Sequence, residues 1–316
     1  MDQNLLIVTM PHKQTPLVSV IIPFYNEEEF FAETIDSVIH QEYDNWEAIL
    51  VDDNGSEQCT AIAKNYEKNY PGKIVYADHP AHANRGPAAS RNLGIARAKG
   101  ELIAFLDADD VWLPNKLKQQ VQLFQQHPDV SMVCETSTYW YSWEKQERPD
   151  ENIAVGAAPG KYYTPPALAL QLYPLGKGAA PCPSSIVITK AALLRNGCFE
   201  ESFIGFSQAY EDQAFLIKIY LKEVVYISDA CNNLYRQRSG SAMHRMLAGG
   251  NYQKARCYFL HWLANYRAAN GMKDAAVNRL LQKALYPCEN PKLYNLQNRI
   301  YNRVKRVMRL LRVAES

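Results

Sequence analysis

Between Val18 and His127, short apolar runs alternate with stretches whose apolar residues recur at helical spacing. The run 18–22 is bounded by Pro23 and suits a strand buried on both faces, as parallel sheets require. In 27–40, Phe30, Phe31, Ile35, Val38 and Ile39 fall at helical spacing, with acids in the first turn. A second strand, 47–51, ends in Asp52-Asp53-Asn54-Gly55, and a helix over 57–70 leads to a third strand at 73–77. A helix after Pro87 feeds the strand 102–106, and Pro114 opens a helix that reaches His127. This βαβα order predicts an α/β fold with a doubly wound, mostly parallel sheet.

Past Asp129 the pattern changes. Residues 130–141, rich in Val, Thr, Tyr and Trp, read as one long strand or a strand pair. Segment 149–183 is dense in Pro and Gly, which excludes long regular elements apart from an apolar stretch near 167–172. A long loop in a compact domain is usually functional or disordered, and Tyr162, Tyr163 and Tyr173 argue against plain disorder. A strand at 184–189, a helix from Lys190 stopped by Gly197, a helix over 213–221 and a strand at 224–228 follow. From about Gly250 the chain reads as helices only, at 252–269, 273–285 and 291–313. The last carries Arg299, Arg303, Lys305, Arg306, Arg309 and Arg312 beside a stripe of Ile300, Val304, Val307 and Leu311. Such a helix either lies on a membrane surface or packs its stripe on the rest of the protein.

A chain of 316 residues accommodates one large α/β domain with an appendage, or two small domains. The net charge of +1 excludes whole-molecule electrostatic binding of nucleic acid. The cysteines are scattered and form no Cys-x-x-Cys pair, so reduced thiols are expected rather than a zinc site or disulfide framework. LLIVTM is too short for a signal-peptide core, lacks a basic leader and runs into Pro11. No apolar run approaches a membrane span, so the expectation is a cytoplasmic protein with any membrane contact peripheral.

The candidate chemistry gathers where the strand 102–106 ends, because open α/β sheets bind ligands beyond the carboxyl ends of their strands. On extended backbone Asp107 and Asp109 share a face while Asp110 points away. Two carboxylates on one face repel unless a cation lies between them. A hard divalent ion such as Mg²⁺ accepts one or two carboxylates and completes its shell with phosphate oxygens and water. Asp107 and Asp109 thus predict a metal-diphosphate site. The acids after the second strand have two readings: Asp52 or Asp53 accepts the N3–H of a uracil ring, or the pair builds a turn. Tyr25 is placed to offer its ring to a base. Arg85 and Arg91 either contact diphosphate or base, or are surface charges. Glu211 and Asp212 open a helix, where a cap is the plain reading.

Four stretches, LVSVIIPFYNEEEF, WEAILVDDNGS, GPAASRNLGIARAKGELIAFLDADD and SQAYEDQAFLIKIYL, together resemble the family 2 glycosyltransferases. SSIVITKAALLRNGCFEESF continues the likeness, which covers roughly Val18 to Arg238. The resemblance implies a Rossmann-like GT-A catalytic domain over 17–240, followed by a C-terminal helical region over 241–316. It implies a nucleotide diphosphate donor, UDP foremost, and an inverting transfer. The implied acceptor is a saccharide or lipid-linked saccharide of a bacterial surface polysaccharide. By the same match Asp52 reads the base, and Pro23, Tyr25, Glu27, Arg85, Arg91 and Asp107 line the donor site. Asp107 and Asp109 would carry Mg²⁺ or Mn²⁺, and Asp212 would be the catalytic base. Its neighbour Glu211 is expected to tolerate Gln better, since successive helical residues point about 100° apart. Arg238 stands where the family often has a histidine, and a guanidinium cannot ligate a metal.

Three rivals meet an absence. No Gly-x-Gly-x-x-Gly follows the first strand, as a nucleotide-cofactor oxidoreductase requires, and no Gly-x-x-x-x-Gly-Lys-Ser/Thr marks a phosphate-loop NTPase. A sugar-phosphate nucleotidyltransferase would open with a Gly-rich loop, also missing. A degenerate saccharide-binding or scaffold protein is opposed by the intact Asp52, Asp107, Asp109 and Asp212.

Overall fold

The structure, a computed structural model, describes residues 15–144, 148–238 and 250–294. The first strands are β1 (Val18–Phe24), β2 (Trp46–Asp52), β3 (Ile74–Asp78) and β4 (Leu102–Phe105). Shorter ones follow: β5 (Val111–Trp112), β6 (Met132–Cys134), β7 (Ser137–Trp140) and β8 (Glu151–Ile153). The last are β9 (Lys161–Tyr163), β10 (Val187–Thr189), β11 (Val225–Ile227) and β12 (Asn233–Arg236). An eight-stranded sheet runs β3-β2-β1-β4-β10-β6-β11-β9. It is parallel through β4 and again between β6 and β11, while β10 runs antiparallel to both its neighbours.

Helices cover both faces: α1 (Phe31–Ile39), α2 (Glu57–Asn69), α3 (Pro87–Arg97), α4 (Lys116–Gln126), α5 (Ala167–Gln171), α6 (Lys190–Arg195) and α7 (Glu211–Lys222). The strand period of two divides the core. Val18, Val20, Ile22 and Leu50 pack with α1 residues Phe31, Ile35 and Val38, whereas Ile21, Ile49, Ile103 and Phe105 face Phe199, Phe215 and Leu216. Each such side chain contributes about 1.5–3 kcal/mol on full burial. Close approach demands Gly94 in α3, where a Cβ would lie 2.4 Å from Ile21 Cγ2.

A four-stranded sheet, β5-β12-β7-β8, was not anticipated by the periodicity. The segment 130–141 breaks at Glu135, with β6 entering the large sheet and β7 the small one. Buried Glu135 holds that crossing. Its Oε1 accepts from Lys116 Nζ at 3.3 Å, Asn232 N at 3.0 Å and Asn233 Nδ2 at 3.1 Å.

Two further helices, Tyr252–Ala269 and Ala275–Glu289, bury Phe259, Leu260, Leu263, Val277 and Leu281 in the same core as Ile21 and Phe105. Against the expectation of reduced thiols throughout, Cys257 and Cys288 form a disulfide between them, with Cα atoms 5.6 Å apart. No local motif marks that pair, because the two helices bring it together from 31 positions apart. No described helix is long and apolar enough to cross a membrane. The basic stripe from Arg299 and the boundary expected at 240 lie outside the described residues.

Candidate active site

At the end of β4 the chain makes a tight turn, with Asp110 N donating to Asp107 O at 3.0 Å. Thr34 Oγ1 braces it from α1 by donating to Ala108 O at 2.9 Å and Asp110 O at 2.8 Å. Ser184 Oγ accepts from Asp107 N at 3.1 Å and donates to Asp110 Oδ2 at 2.5 Å. Asp110 is fully buried, and its Oδ1 also accepts from Arg236 N at 3.0 Å. Burial, with the charges of Asp109 and Asp107, holds its carboxyl well above the ordinary range. Asp107 and Asp109 keep 25% and 19% of their side chains exposed.

Three arginines converge on these acids. Arg91, on α3 and only 4% exposed, donates from Nη2 to Asp107 Oδ1 at 2.7 Å and from Nη1 to Glu211 Oε1 at 2.5 Å. Arg236, on β12, donates from Nε to Asp109 O at 2.7 Å and from Nη2 to Glu33 Oε2 at 2.5 Å. The rings of Phe30, Trp140 and Trp143 surround its guanidinium at 4.3–5.1 Å. Arg238 donates from Nε to Asp109 Oδ2 at 2.7 Å and lies 3.6 Å from Glu27 Oε1. Burial, together with Asp107, still pushes Asp109 up against the pull of Arg238. Each of Asp107 and Asp109 thus has one carboxylate oxygen held by an arginine.

α7 brings the other acids in. Burial pushes Glu211 up to about 7 despite Arg91 beside it, and burial likewise raises Asp212. Asp212 is half-buried at the helix start, its Oδ1 accepting from Gln213 N at 2.6 Å. The charge of Asp107 reaches it, and Arg91 ties the acidic turn to the start of α7.

The acids after β2 are differently placed. Asp52 is fully buried and accepts from Gly55 N at 2.6 Å, Thr60 Oγ1 at 2.6 Å and Tyr76 OH at 2.9 Å. Asp53 accepts from the N–H groups of Arg85 at 2.6 Å and Gly86 at 3.0 Å. Gly86 meets that bond at φ 83°, a conformation glycine alone adopts readily. Among the described residues, Asp52, Asp78 and His82 form a trio whose ligand atoms lie within 4.8 Å of one another. Asp52's oxygens are already taken by neutral donors, so the trio reads as a turn rather than a cation cradle.

The family model described as Glycosyl transferase family 2 matches residues 19–203, more than half of the chain. The chain belongs to that family. Among family 2 relatives, Glycosyltransferase GlyG of Streptococcus pneumoniae is 28% identical over 236 residues, covering 72% of this chain and 73% of that one. TuaG of Bacillus subtilis, a glycosyltransferase named for teichuronic acid biosynthesis, is 38% identical over 112 residues, 35% of this chain and 43% of TuaG. The match thus spans less than half of TuaG. The crystal structure of Staphylococcus aureus TarS 1-349 in complex with UDP-GlcNAc shares the fold, with TM-score 0.61 and 20% identity over 85% of this chain and 71% of that one.

On this family 2 frame the expected site residues separate. Pro23 lies on the side of β1 where β4 has already turned away, Leu106 N making the last bond to Ile21 O, so its missing N–H costs no ladder bond. Tyr25 is 43% exposed just beyond β1, and its N–H donates to Glu27 Oε2 at 2.8 Å. Arg85 is exposed. Asp52, expected to read the base, is fully buried and accepts from its own turn, from α2 and from β3. Arg91, expected to contact diphosphate or base, is buried behind Asp107. Glu211, Arg236 and Ser184 were missed. Glu211 had a signal, as an acid beside the expected base.

Proposed function

We propose that the protein transfers a sugar from a nucleotide diphosphate, UDP foremost, to a saccharide or lipid-linked saccharide with inversion. The observation that carries this is Arg91, which joins Asp107 on the acidic turn to Glu211 beside Asp212. One buried guanidinium thereby joins the acidic turn to the start of the helix that carries the base candidate. Asp212 takes the proton of the acceptor hydroxyl as its oxygen bonds to the anomeric carbon. The bond from that carbon to the diphosphate oxygen breaks on the opposite face, which inverts the centre. Burial raises the affinity of Asp212 for that proton. Pro23, Tyr25 and Glu27 at the end of β1 would face the nucleotide, and exposed Arg85 its base or phosphates.

The donor set fits a hard divalent ion, Mg²⁺ or Mn²⁺. Asp107 and Asp109 are part-exposed carboxylates, each with one oxygen held by an arginine. When bound, such an ion would offset charge on the leaving diphosphate. A panel of nucleotide sugars, assayed for transfer and hydrolysis with and without Mn²⁺, tests the proposal. Turnover of one donor, lost in Asp212→Asn, is expected. Tight binding of a nucleotide sugar with no turnover of any donor would favour a saccharide-binding protein instead.

A further inference from the structure

We propose that Arg238 occupies Asp109 in the donor-free protein and competes with the cation, so that cation loading is coupled to the nucleotide. The inference rests on the reading of Asp109 as a cation ligand. Of the three guanidiniums at the acidic turn, two are fixed. Arg91 is buried between two carboxylates, and Arg236 is clasped by Glu33, the Asp109 carbonyl and three aromatic rings. Arg238 is different. Its side chain is 27% exposed and lies 5.6 Å from the Phe30 ring; among the described residues it makes one close bond, to Asp109 Oδ2, and approaches Glu27 only to 3.6 Å. It lies just past the end of β12, where Gln237 N still donates to Trp140 O at 3.0 Å.

The chemistry follows from what a guanidinium can and cannot do. It is always charged, donates only and cannot ligate a metal, so a divalent ion at Asp109 must displace it. It also matches a phosphate with two parallel hydrogen bonds, which gives the displaced group a partner as soon as a diphosphate arrives. Arg238 offsets the charges of Asp109 and Glu27. Cation and nucleotide should therefore bind with positive coupling, and part of that coupling should run through Arg238. Coupling of this kind is reciprocal.

Mn²⁺ binding by the full chain, titrated by electron paramagnetic resonance with and without UDP, tests this. Arg238→Gln should bind Mn²⁺ roughly tenfold or more tightly than wild type without nucleotide, the scale of one lost charged hydrogen bond. UDP should then raise its Mn²⁺ affinity by a smaller factor than in wild type. Arg238→Lys, which keeps the charge and loses the fork, should fall between the two. Unchanged or weaker Mn²⁺ binding by Arg238→Gln, with binding abolished in Asp109→Asn, would overturn the role of Arg238 alone. Undiminished binding by Asp109→Asn would overturn the cation reading of Asp109, and this inference with it.

Discussion

β2 and β4 flank β1 in one sheet, and both end in neighbouring aspartates. Asp52 and Asp53 after β2 accept from backbone N–H groups and from the hydroxyls of Thr60 and Tyr76. Those donors are neutral and come from the turn itself, from α2, from β3 and from the backbone just before α3. Asp107 and Asp109 after β4 are instead held by arginines and remain part-exposed. The same residue type at the same kind of strand end thus serves two ends. What an acid can do is decided by who donates to it, and a strand-end motif does not specify that.

The largest effect should fall on the base. Asp212→Asn keeps the shape and removes the proton acceptor, so turnover should drop ~10²–10⁴-fold with UDP affinity nearly unchanged. Steady-state kinetics beside calorimetry check this, and wild-type turnover would remove Asp212 from the mechanism. Next comes Arg91→Met, which strips the buried link between the open acidic turn and α7. Removing one partner of a buried pair costs about 3–5 kcal/mol. The deficit in a denaturant melt should deepen above pH 7, because burial places Glu211 at about 7 and the wild-type acid ionises there against Arg91. A loss under about 1 kcal/mol would mean that the arginine is not holding these acids.

Asp52→Asn should behave oppositely to substitutions after β4. It leaves buried donors imperfectly matched and should cost about 1–3 kcal/mol of stability, with Mn²⁺-dependent UDP binding retained in the folded fraction. Loss of nucleotide binding at unchanged stability would return Asp52 to the base-reading role. The smallest effect is in the pH profile. Asp212 must be ionised to accept a proton, and burial raises it, so kcat should fall as pH drops through a midpoint above the ordinary aspartate value of about 4. A limb at or below that value would contradict the buried base.

The parallel half of the fold was readable because β1, β2 and β4 are near-continuous apolar runs and α1 and α2 repeat at helical spacing. The small sheet was not, since β5 has two residues and its partner β12 joins from far along the chain. Strands that short are set by their neighbours rather than by local propensity. The same long-range closure hid the arginines. Arg236 and Arg238 meet Asp109 only once β12 pairs with β5 and β7, and Arg91 looked like a surface charge until α7 covered it. Glu211, expected to tolerate Gln better than its neighbour Asp212 tolerates Asn, carries the other half of a buried ion pair.

The open acids after β4 are best tested through Asp109. Calorimetric titration of UDP into wild type and Asp109→Ala, each with Mn²⁺ and with chelator, reads the claim without relying on turnover. Wild type should bind UDP more tightly with Mn²⁺, and Asp109→Ala should lose that gain while melting within about 0.5 kcal/mol of wild type, as a part-exposed position allows. An Asp109→Ala protein whose UDP binding still rises undiminished with Mn²⁺ would contradict the account.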